Sequence, residues 1–381
     1  MNDRFAWRGT NDERQTAEWF ARAAASGLRA GDPRVWTALL RGQPEWHAAT
    51  VRRVTARRMQ TGWSGMALRR YDVMLDDGRA LALVGKRIGA DEARILTALS
   101  ERMPVDMPRL YFAQDGWCVM EALPPGKLAG EWTVDDARAA LTNLARLHAA
   151  FWERPPDWVR RIDAAELGRQ LDQAARGLER VERMGGWPGL IEPGHLRAMR
   201  RALDERERFV AALAAQPVTL LHGDPWMPNW HIAGARCVLL DWRWAATGPA
   251  VWDVNYFLEI AAANTARGQW QACLPPIARD EAIVFYLDQL ESTLGRRVER
   301  EAFASALPAA FVVNTLALWM GFVEDYGVWA SMLLPVGRLA ARLPGPLRRA
   351  IERAALSGQD EFLRQTFCRF EQHIQPTQFD A

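Results

Sequence analysis

The chain changes its periodicity once, and that change limits the folds open to it more than any other feature. From residue 49 to 121 apolar residues come in short runs with strand character; beyond Pro124-Pro125-Gly126 they recur at the spacing of long helices. In the first stretch Val51–Met59, Met66–Leu75 and Arg79–Val84 are predicted strands, and Asp76-Asp77-Gly78 between the last two is a hairpin signal. Ala90–Glu101 carries Ala93, Leu96 and Leu99 at helical spacing. Arg109–Gln114 and Trp117–Glu121 are two further strands, joined at Asp115-Gly116. Three strands, one helix and two strands predict a small antiparallel sheet with a single helix packed on it.

After the Pro-Gly break the clearest helix is Val134–Phe151, with Ala137, Leu141, Leu144, Ala145 and His148 on one stripe. Further helices are predicted at 164–184, 195–214, 253–264, 280–293, 299–323 and 347–372. One island of strand character interrupts them: Val218–Leu221 and Cys237–Leu240, read as a short hairpin. Before residue 49, the stretch 11–46 reads as short helices (Trp19, Phe20, Ala23 and Ala24 at helical spacing), broken at Gly31-Asp32-Pro33. The divisions are a helical extension over 1–48, a small lobe over 49–121 and a helical lobe over 122–381. The extension carries no functional signal and is expected to pack against the residues C-terminal to it.

Composition narrows the function. At 49% hydrophobic and 25% charged, the chain has ample material for a core. Its net charge is +2, and Arg is interleaved with Glu and Asp along helical stretches, so no nucleic-acid partner is expected. Cys118, Cys237, Cys273 and Cys368 are widely spaced and form no metal-type pair, as in a reduced, cytoplasmic protein. Met1–Thr10 has no apolar run, so no signal peptide is expected. Ala302–Val323 lacks charged residues and is long enough to span a bilayer. It contains Pro308, Asn314, Thr315 and Gly321, and basic residues favour neither flank, so a buried helix is expected and no membrane partner. The oligomeric state stays open.

The chemistry concentrates around the strand island. His222-Gly223-Asp224 is followed five positions later by Asn229, the spacing of the kinase loop H-R-D-x-x-x-x-N with Gly in place of Arg. Asp224 would accept or orient the proton of an attacking hydroxyl, and Asn229 would offer its amide oxygen to Mg2+. The apolar run Cys237–Leu240 ends in Asp241, a carboxylate placed to hold Mg2+ and, through it, phosphates. Taken singly, Asp224 is a turn residue before Pro225, Asn229 a helix cap and Asp241 a strand end; only their joint spacing favours chemistry. His222 reads as a buried imidazole hydrogen-bonded to the loop backbone.

Leu221-His222-Gly223-Asp224 … Asn229, Leu239-Leu240-Asp241-Trp242, Gly248-Pro249 and Asp253-Val254 resemble the aminoglycoside phosphotransferase and choline kinase superfamily. So does Leu144-Ala145-Arg146-Leu147-His148-Ala149. The resemblance covers roughly residues 50 to 330 and is strongest over 218–258. It implies an α+β, bilobal protein-kinase-like fold: a small antiparallel five-stranded N-lobe with one helix, and a large, mainly helical C-lobe. It implies an ATP-dependent phosphotransferase with Mg2+ as cofactor and a small-molecule hydroxyl as acceptor. Asp224 would be the catalytic aspartate, Asn229 and Asp241 the metal ligands, and Asp253 a brace for the loop. Lys86 ends the third strand, where it would reach the α- and β-phosphates, and Glu92 would pair with it. The other readings are an exposed strand-end cation for Lys86 and a helix-dipole carboxylate for Glu92. Gly62, Ser64 and Gly65 lie where the phosphate-covering loop falls, though a hairpin turn would look much the same. Glu121 and Leu123 fall at the expected hinge, where their backbone would bind adenine.

Only Trp242 to Trp252 separate Asp241 from Asp253, and no A-P-E or D-F-G is present, so a peptide-docking platform is not expected. The acceptor class stays open among amino-sugars, sugars and amino alcohols. Trp226, Trp230, Trp242, Trp244 and Trp252 cluster here and read mainly as packing, with Trp226 and Trp244 as pocket candidates. Glu259, Glu324 and Asp325 are scattered carboxylates and do not build an acidic acceptor surface. The alternative function is a pseudokinase or nucleotide-binding regulatory module without turnover. A metal-dependent hydrolase using His222, Asp224 and His231 fits poorly, because these lack a metal-ligand spacing.

Overall fold

A computed structural model describes residues 31–59, 68–100, 102–114, 116–183, 191–260, 262–264, 271–321, 366–370 and 374. The chain divides into two compact units, Met1–Gly126 and Lys127–Ala381.

The first unit is built on β1 (Val51–Arg58), β2 (Leu68–Leu75), β3 (Ala80–Lys86), β4 (Leu110–Gln114) and β5 (Trp117–Glu121). They form one antiparallel sheet in the order β1-β2-β3-β5-β4. Among the described residues two helices accompany it, α1 (Pro33–Arg41) and α2 (Ala90–Leu99). Asp32-Pro33, read from sequence as an interruption, is the start of α1: the Asp32 side chain accepts from Arg34 N at 2.9 Å and Pro33 takes the first helical position. The hydrophobic face of α1 (Val35, Trp36, Leu39, Leu40) joins Tyr71, Val73, Leu75 and Val119 in one core. Trp36 and Tyr71 meet with ring centroids 4.6 Å apart. Gly85 is required by packing rather than by a turn, since a Cβ there would run into the buried Trp117 indole. The expected helices around Trp19 to Ala24 lie outside the described residues.

The second unit opens with α3 (Val134–Ala150), followed by α4 (Ala164–Arg183). Where one helix was predicted over 195–214 there are two, α5 (Pro193–Asp204) and α6 (Arg206–Ala214), because Glu205 leaves the helical conformation at φ −96°, ψ 14°. The strand island also differs from expectation. β6 (Val218–Leu221) does not pair with β8 (Arg236–Leu239); it pairs with β9 (Ala246–Pro249), and β8 pairs with β7 (Trp230–Ala233). The β7–β8 turn is the two-residue Gly234-Ala235, with Gly234 at φ +59°.

Helix α7 spans Ala250–Glu259, beginning earlier and ending sooner than the predicted 253–264. Ala262–Asn264 (β10) instead pairs with Gln271–Cys273 (β11), so strand pairing overrides the helix propensity of the alanine run. α8 (Arg279–Leu294) packs on α3, and α9 (Arg300–Thr315) packs on α6 and α7 before continuing as a π-helical turn, Leu316–Gly321. Arg300–Gly321 is long and apolar enough to cross a membrane, but 67% of its apolar window is buried within the protein. Only 366–370 of the predicted 347–372 helix is described, and it is helical.

Helix α3 is closed by a capping box: Asp136 N donates to Thr133 Oγ1 (3.3 Å) and Thr133 N to Asp136 Oδ2 (2.7 Å). Lys127 Nζ holds both Asp136 oxygens, at 2.9 and 2.7 Å. Replacing Thr133 by Ala is expected to cost about 1 kcal/mol, read as a lower urea midpoint with unchanged slope.

Candidate active site

The loop after β6 is held from behind by one buried carboxylate. Asp253, four residues into α7 and fully buried, accepts His222 N through Oδ2 (2.7 Å) and Gly223 N through Oδ1 (2.9 Å). His148 from α3 approaches the same Oδ2 with Nε2 at 3.4 Å, while its Nδ1 lies 2.6 Å from the Tyr286 hydroxyl of α8. With a neutral His148 ring, Tyr286 O–H donates to Nδ1 and Nε2–H donates to Asp253. Burial holds the Tyr286 phenol well above its ordinary pKa, so it stays a neutral donor. Asp253 thus braces the loop, as the resemblance implied.

His222 is also buried scaffold. Its Nε2 donates to Leu240 O (2.8 Å), Nδ1 accepts Asp224 N (3.3 Å), and Trp242 packs edge-on at 4.9 Å. Leu240 N in turn donates to Asn229 O at 2.8 Å. Leu240 is therefore clamped on both sides, and the next residue, Asp241, is left-handed at φ 64°, ψ 70°. Such a conformation in a non-glycine residue persists only where surrounding bonds impose it.

Asp224 has neutral neighbours. Asn229 Nδ2 donates to its carboxylate Oδ2 (2.9 Å) and to its backbone oxygen (2.7 Å), and the Tyr256 hydroxyl of α7 lies close enough to lower the pKa of the same carboxylate. The Asp224 pKa is pushed up to about 7, first by burial and then by the charges of Asp241 and Asp253; Tyr256 and Asn229 oppose this. Part of the Asp224 surface stays accessible. Tyr256 was not singled out from sequence. The only signal for it was its position one turn after Asp253, on the same helix face.

Lys86 and Glu92 lie in the first unit. Lys86 Nζ is 2.7 Å from Glu92 Oε1, with side-chain exposures of 12% and 4%, so the short separation in sequence permits the pair and Lys86 is not a solvated strand-end cation. Glu121 N donates to Arg109 O and Ala122 N to Ala82 O, at 2.9 and 3.0 Å. Leu123 lies just beyond β5. Gly62, Ser64 and Gly65 lie outside the described residues.

Among the tryptophans, Trp230, Trp242 and Trp252 are buried, and Trp230 Nε1 donates to Pro225 O at 2.8 Å. Trp244 is 44% exposed, near the Arg160 and Arg243 guanidiniums. Glu259 is spent on structure, buried between Arg279 (3.0 Å) and Arg369. No group of three or more His, Cys, Asp or Glu side chains suited to a metal occurs among the described residues. The donor set at Asn229 and Asp241 does suit Mg2+, which binds through one or two protein ligands and completes its shell with water and phosphate oxygens. Asn229 spends Nδ2 on Asp224, which turns Oδ1 away from that residue. The Asp241 charge adds to the cost of ionising Asp224, an arrangement that a cation relieves.

Fold and loop together define a protein of the protein-kinase-like class. The model of the phosphotransferase enzyme family (APH) matches residues 59–291, more than half of the chain, and the protein belongs to that family. Similar solved structures include a choline kinase from Cryptosporidium parvum Iowa II (12% identity, 90% of this chain and 95% of that one, TM-score 0.55). A Plasmodium vivax ethanolamine kinase matches at 13% identity over 90% and 98% of the two chains, with a TM-score of 0.53. The amicoumacin kinase hAmiN, in complex with AMP-PNP, Ca2+ and Ami, matches at 13% identity over 86% and 89%, with a TM-score of 0.51. No curated protein matches the chain.

Gly223 sits at φ +83°, and a Cβ there would run into the backbone oxygen of Trp244. This explains why Gly stands where the protein-kinase pattern has Arg. Gly223→Ala is expected to destabilise by at least about 1–3 kcal/mol, from the left-handed backbone alone. Thermal unfolding would record it, with loss of turnover at temperatures where the variant remains folded.

Proposed function

We propose that this protein is an ATP-dependent small-molecule kinase that moves the γ-phosphate of ATP to a hydroxyl of an amino-sugar, sugar, amino alcohol or similar acceptor. The observation that carries this reading is the convergence of Asp224, Asn229 and a left-handed Asp241 around a loop braced by Asp253. Phosphoryl transfer asks the protein for positioning and electrostatics more than covalent chemistry, and this donor set matches that need.

In this reading residues 49–121 form the nucleotide-binding lobe and 122–381 carry the catalytic loop and acceptor site. Asp224 accepts or orients the acceptor proton. Asn229 Oδ1 and the Asp241 carboxylate hold Mg2+, which when bound neutralises charge on the β- and γ-phosphates. Lys86, steadied by Glu92, meets the α- and β-phosphates as a compact charge. Adenine recognition falls to the Glu121 carbonyl and the Leu123 backbone, since the N–H groups of Glu121 and Ala122 are already bonded. Glu259 is unavailable to a polycationic acceptor because two arginines hold it.

Asp224→Asn is expected to retain ATP binding and to lower acceptor-dependent ADP release by about 10²–10⁴-fold. Near-parental turnover would remove Asp224 from the mechanism. The acceptor is sought in a screen of small alcohols, sugars and aminoglycosides. Nucleotide binding without turnover across that screen would favour a pseudokinase, and calorimetry showing no Mg-ATP binding would exclude both readings. Lys86→Ala is expected to weaken Mg-ATP binding roughly 10-fold or more, the scale of one charge-assisted contact to phosphate; unchanged affinity would place Lys86 outside the nucleotide site.

A further inference from the structure

We propose that the acceptor carries an anionic group, a carboxylate or phosphate, besides its hydroxyl, and that Arg243 receives that group beside the Trp244 indole and Arg160. The inference rests on the kinase reading above and deepens it by naming the chemical class of the acceptor.

Strand pairing decides where these residues stand. Leu221, the last residue of β6, pairs with Ala246, the first of β9. Two residues from each, Gly223 and Trp244 meet: a Cβ on Gly223 would run into the Trp244 carbonyl and crowd its Cβ. Trp244 therefore lies against the residue that precedes Asp224. The segment is firmly held. Trp242–Trp244 form a 3-10 turn that starts from the left-handed Asp241, and Ala245 N closes it on Trp242 O at 3.2 Å. Trp242 anchors the turn, buried against His222. Arg160 arrives on a neighbouring segment that is laced to β9: Thr247 N donates to Arg160 O and Ile162 N to Thr247 O, both at 2.7 Å. Such pre-ordering lets side chains bind without a large entropic cost.

The side chains placed there differ from those of the core. Among the described residues Trp244 is the one tryptophan left exposed, at 44%. The guanidinium carbons of Arg243 and Arg160 lie 5.3 and 5.9 Å from its ring centroid, and Arg160 Nη2 donates to its backbone oxygen at 3.3 Å. These charges are not balanced. Glu166 stands 3.4 Å from Arg160 but is shared with Arg169 and Gln170. Arg243 is exposed and forms no ion pair among the described residues. Elsewhere in this unit Arg279, Arg300 and Arg369 are spent on carboxylates. A guanidinium is a planar fork matched to the paired oxygens of a carboxylate or phosphate. The indole beside it offers an apolar face to the frame that carries the anion. A polycationic acceptor would meet like charge at this edge.

Surface cation–π packing is the competing account, and the triphosphate is a second anion that the same fork would suit. The test uses the full chain with Mg-ATP and hydroxyl compounds in matched pairs: glucose against glucuronate, glycerol against glycerate, ethanolamine against serine. Acceptor-dependent ADP release is expected to favour the carboxylate members. Arg243→Ala, a change at an exposed side chain, is expected to raise the KM of the preferred carboxylate about 10-fold or more, the scale of one charge-assisted bond. The KM for ATP stays unchanged. Preference for neutral or cationic members overturns the proposal, and so does an Arg243→Ala effect on the KM for ATP alone. Where no pair turns over, calorimetry with inorganic phosphate and the chain loaded with Mg-AMP-PNP decides. Phosphate binding that Arg243→Ala abolishes, with nucleotide affinity retained, supports the site; no binding, or equal binding in the variant, overturns it. Failure of the parent to bind Mg-ATP would instead remove the kinase reading beneath it.

Discussion

The candidate site depends on a buried carboxylate that does no chemistry. Asp253 takes two consecutive backbone N–H groups, of His222 and Gly223, onto its two oxygens. Charge-assisted bonds of this kind are roughly twice as strong as neutral ones, and losing the acceptor would strand two amides in the interior. The rest of the loop is set by that anchorage. With 222 and 223 fixed, Gly223 must take a positive φ against Trp244, and the His222 ring must reach Leu240. Leu240, bonded also to Asn229, then forces Asp241 into its left-handed pose. A single interaction behind the loop thus orders residues on both strands that leave it.

Two of the buried carboxylates are matched by cations, and Asp224 is not. Glu259 is matched by Arg279 and Arg369, and Glu92 by Lys86: cations that cancel the charge where it is needed for structure or for holding another group. Asp224 is different. Its side-chain donor Asn229 and its neighbour Tyr256 are neutral, and two further carboxylates stand close enough to raise its pKa. A neutral donor fixes direction without discharging the anion. The remaining cost of crowding is the part that a divalent cation and a proton in transit would offset. That is a poor way to build a core and a sensible way to build a site for phosphate.

Much of this was legible in the sequence, for reasons that can be named. The small sheet could be read because its strands are short, alternate, and are separated by Asp-Gly turns; the predicted runs differ from the observed ones by a few residues. The 222–241 constellation could be read because it is local, with backbone spacing fixing which side chains converge. What was not legible depends on contacts distant in sequence. β6 and β8 look like natural partners, yet each pairs elsewhere, because β9 is a four-residue run, Ala246-Thr247-Gly248-Pro249, with no strand signature. Gly248 serves packing there: a Cβ would press on Leu221 and Ile162. The alanine run after Glu259 speaks for helix until β11 is present to pair with it. Tyr256 escaped notice because an aromatic on a largely buried helix looks like core.

The weak identity to the neighbouring kinases, 12–13% for the three compared, sharpens what their likeness can support. At that level a common fold says only that the same layers can be packed from different side chains. It cannot carry an acceptor or a nucleotide across. The polar framework stands on other ground, because its parts are not interchangeable: a carboxylate with two oxygens for two amides, an imidazole with one donor and one acceptor edge, a glycine where no Cβ fits. Each is dictated by the bonds it makes in this chain. The functional reading therefore stands on how Asp253, His222, Gly223 and Leu240 deliver Asp224, Asn229 and Asp241 to one place, and the family resemblance only names a chemistry for which such a delivery is useful.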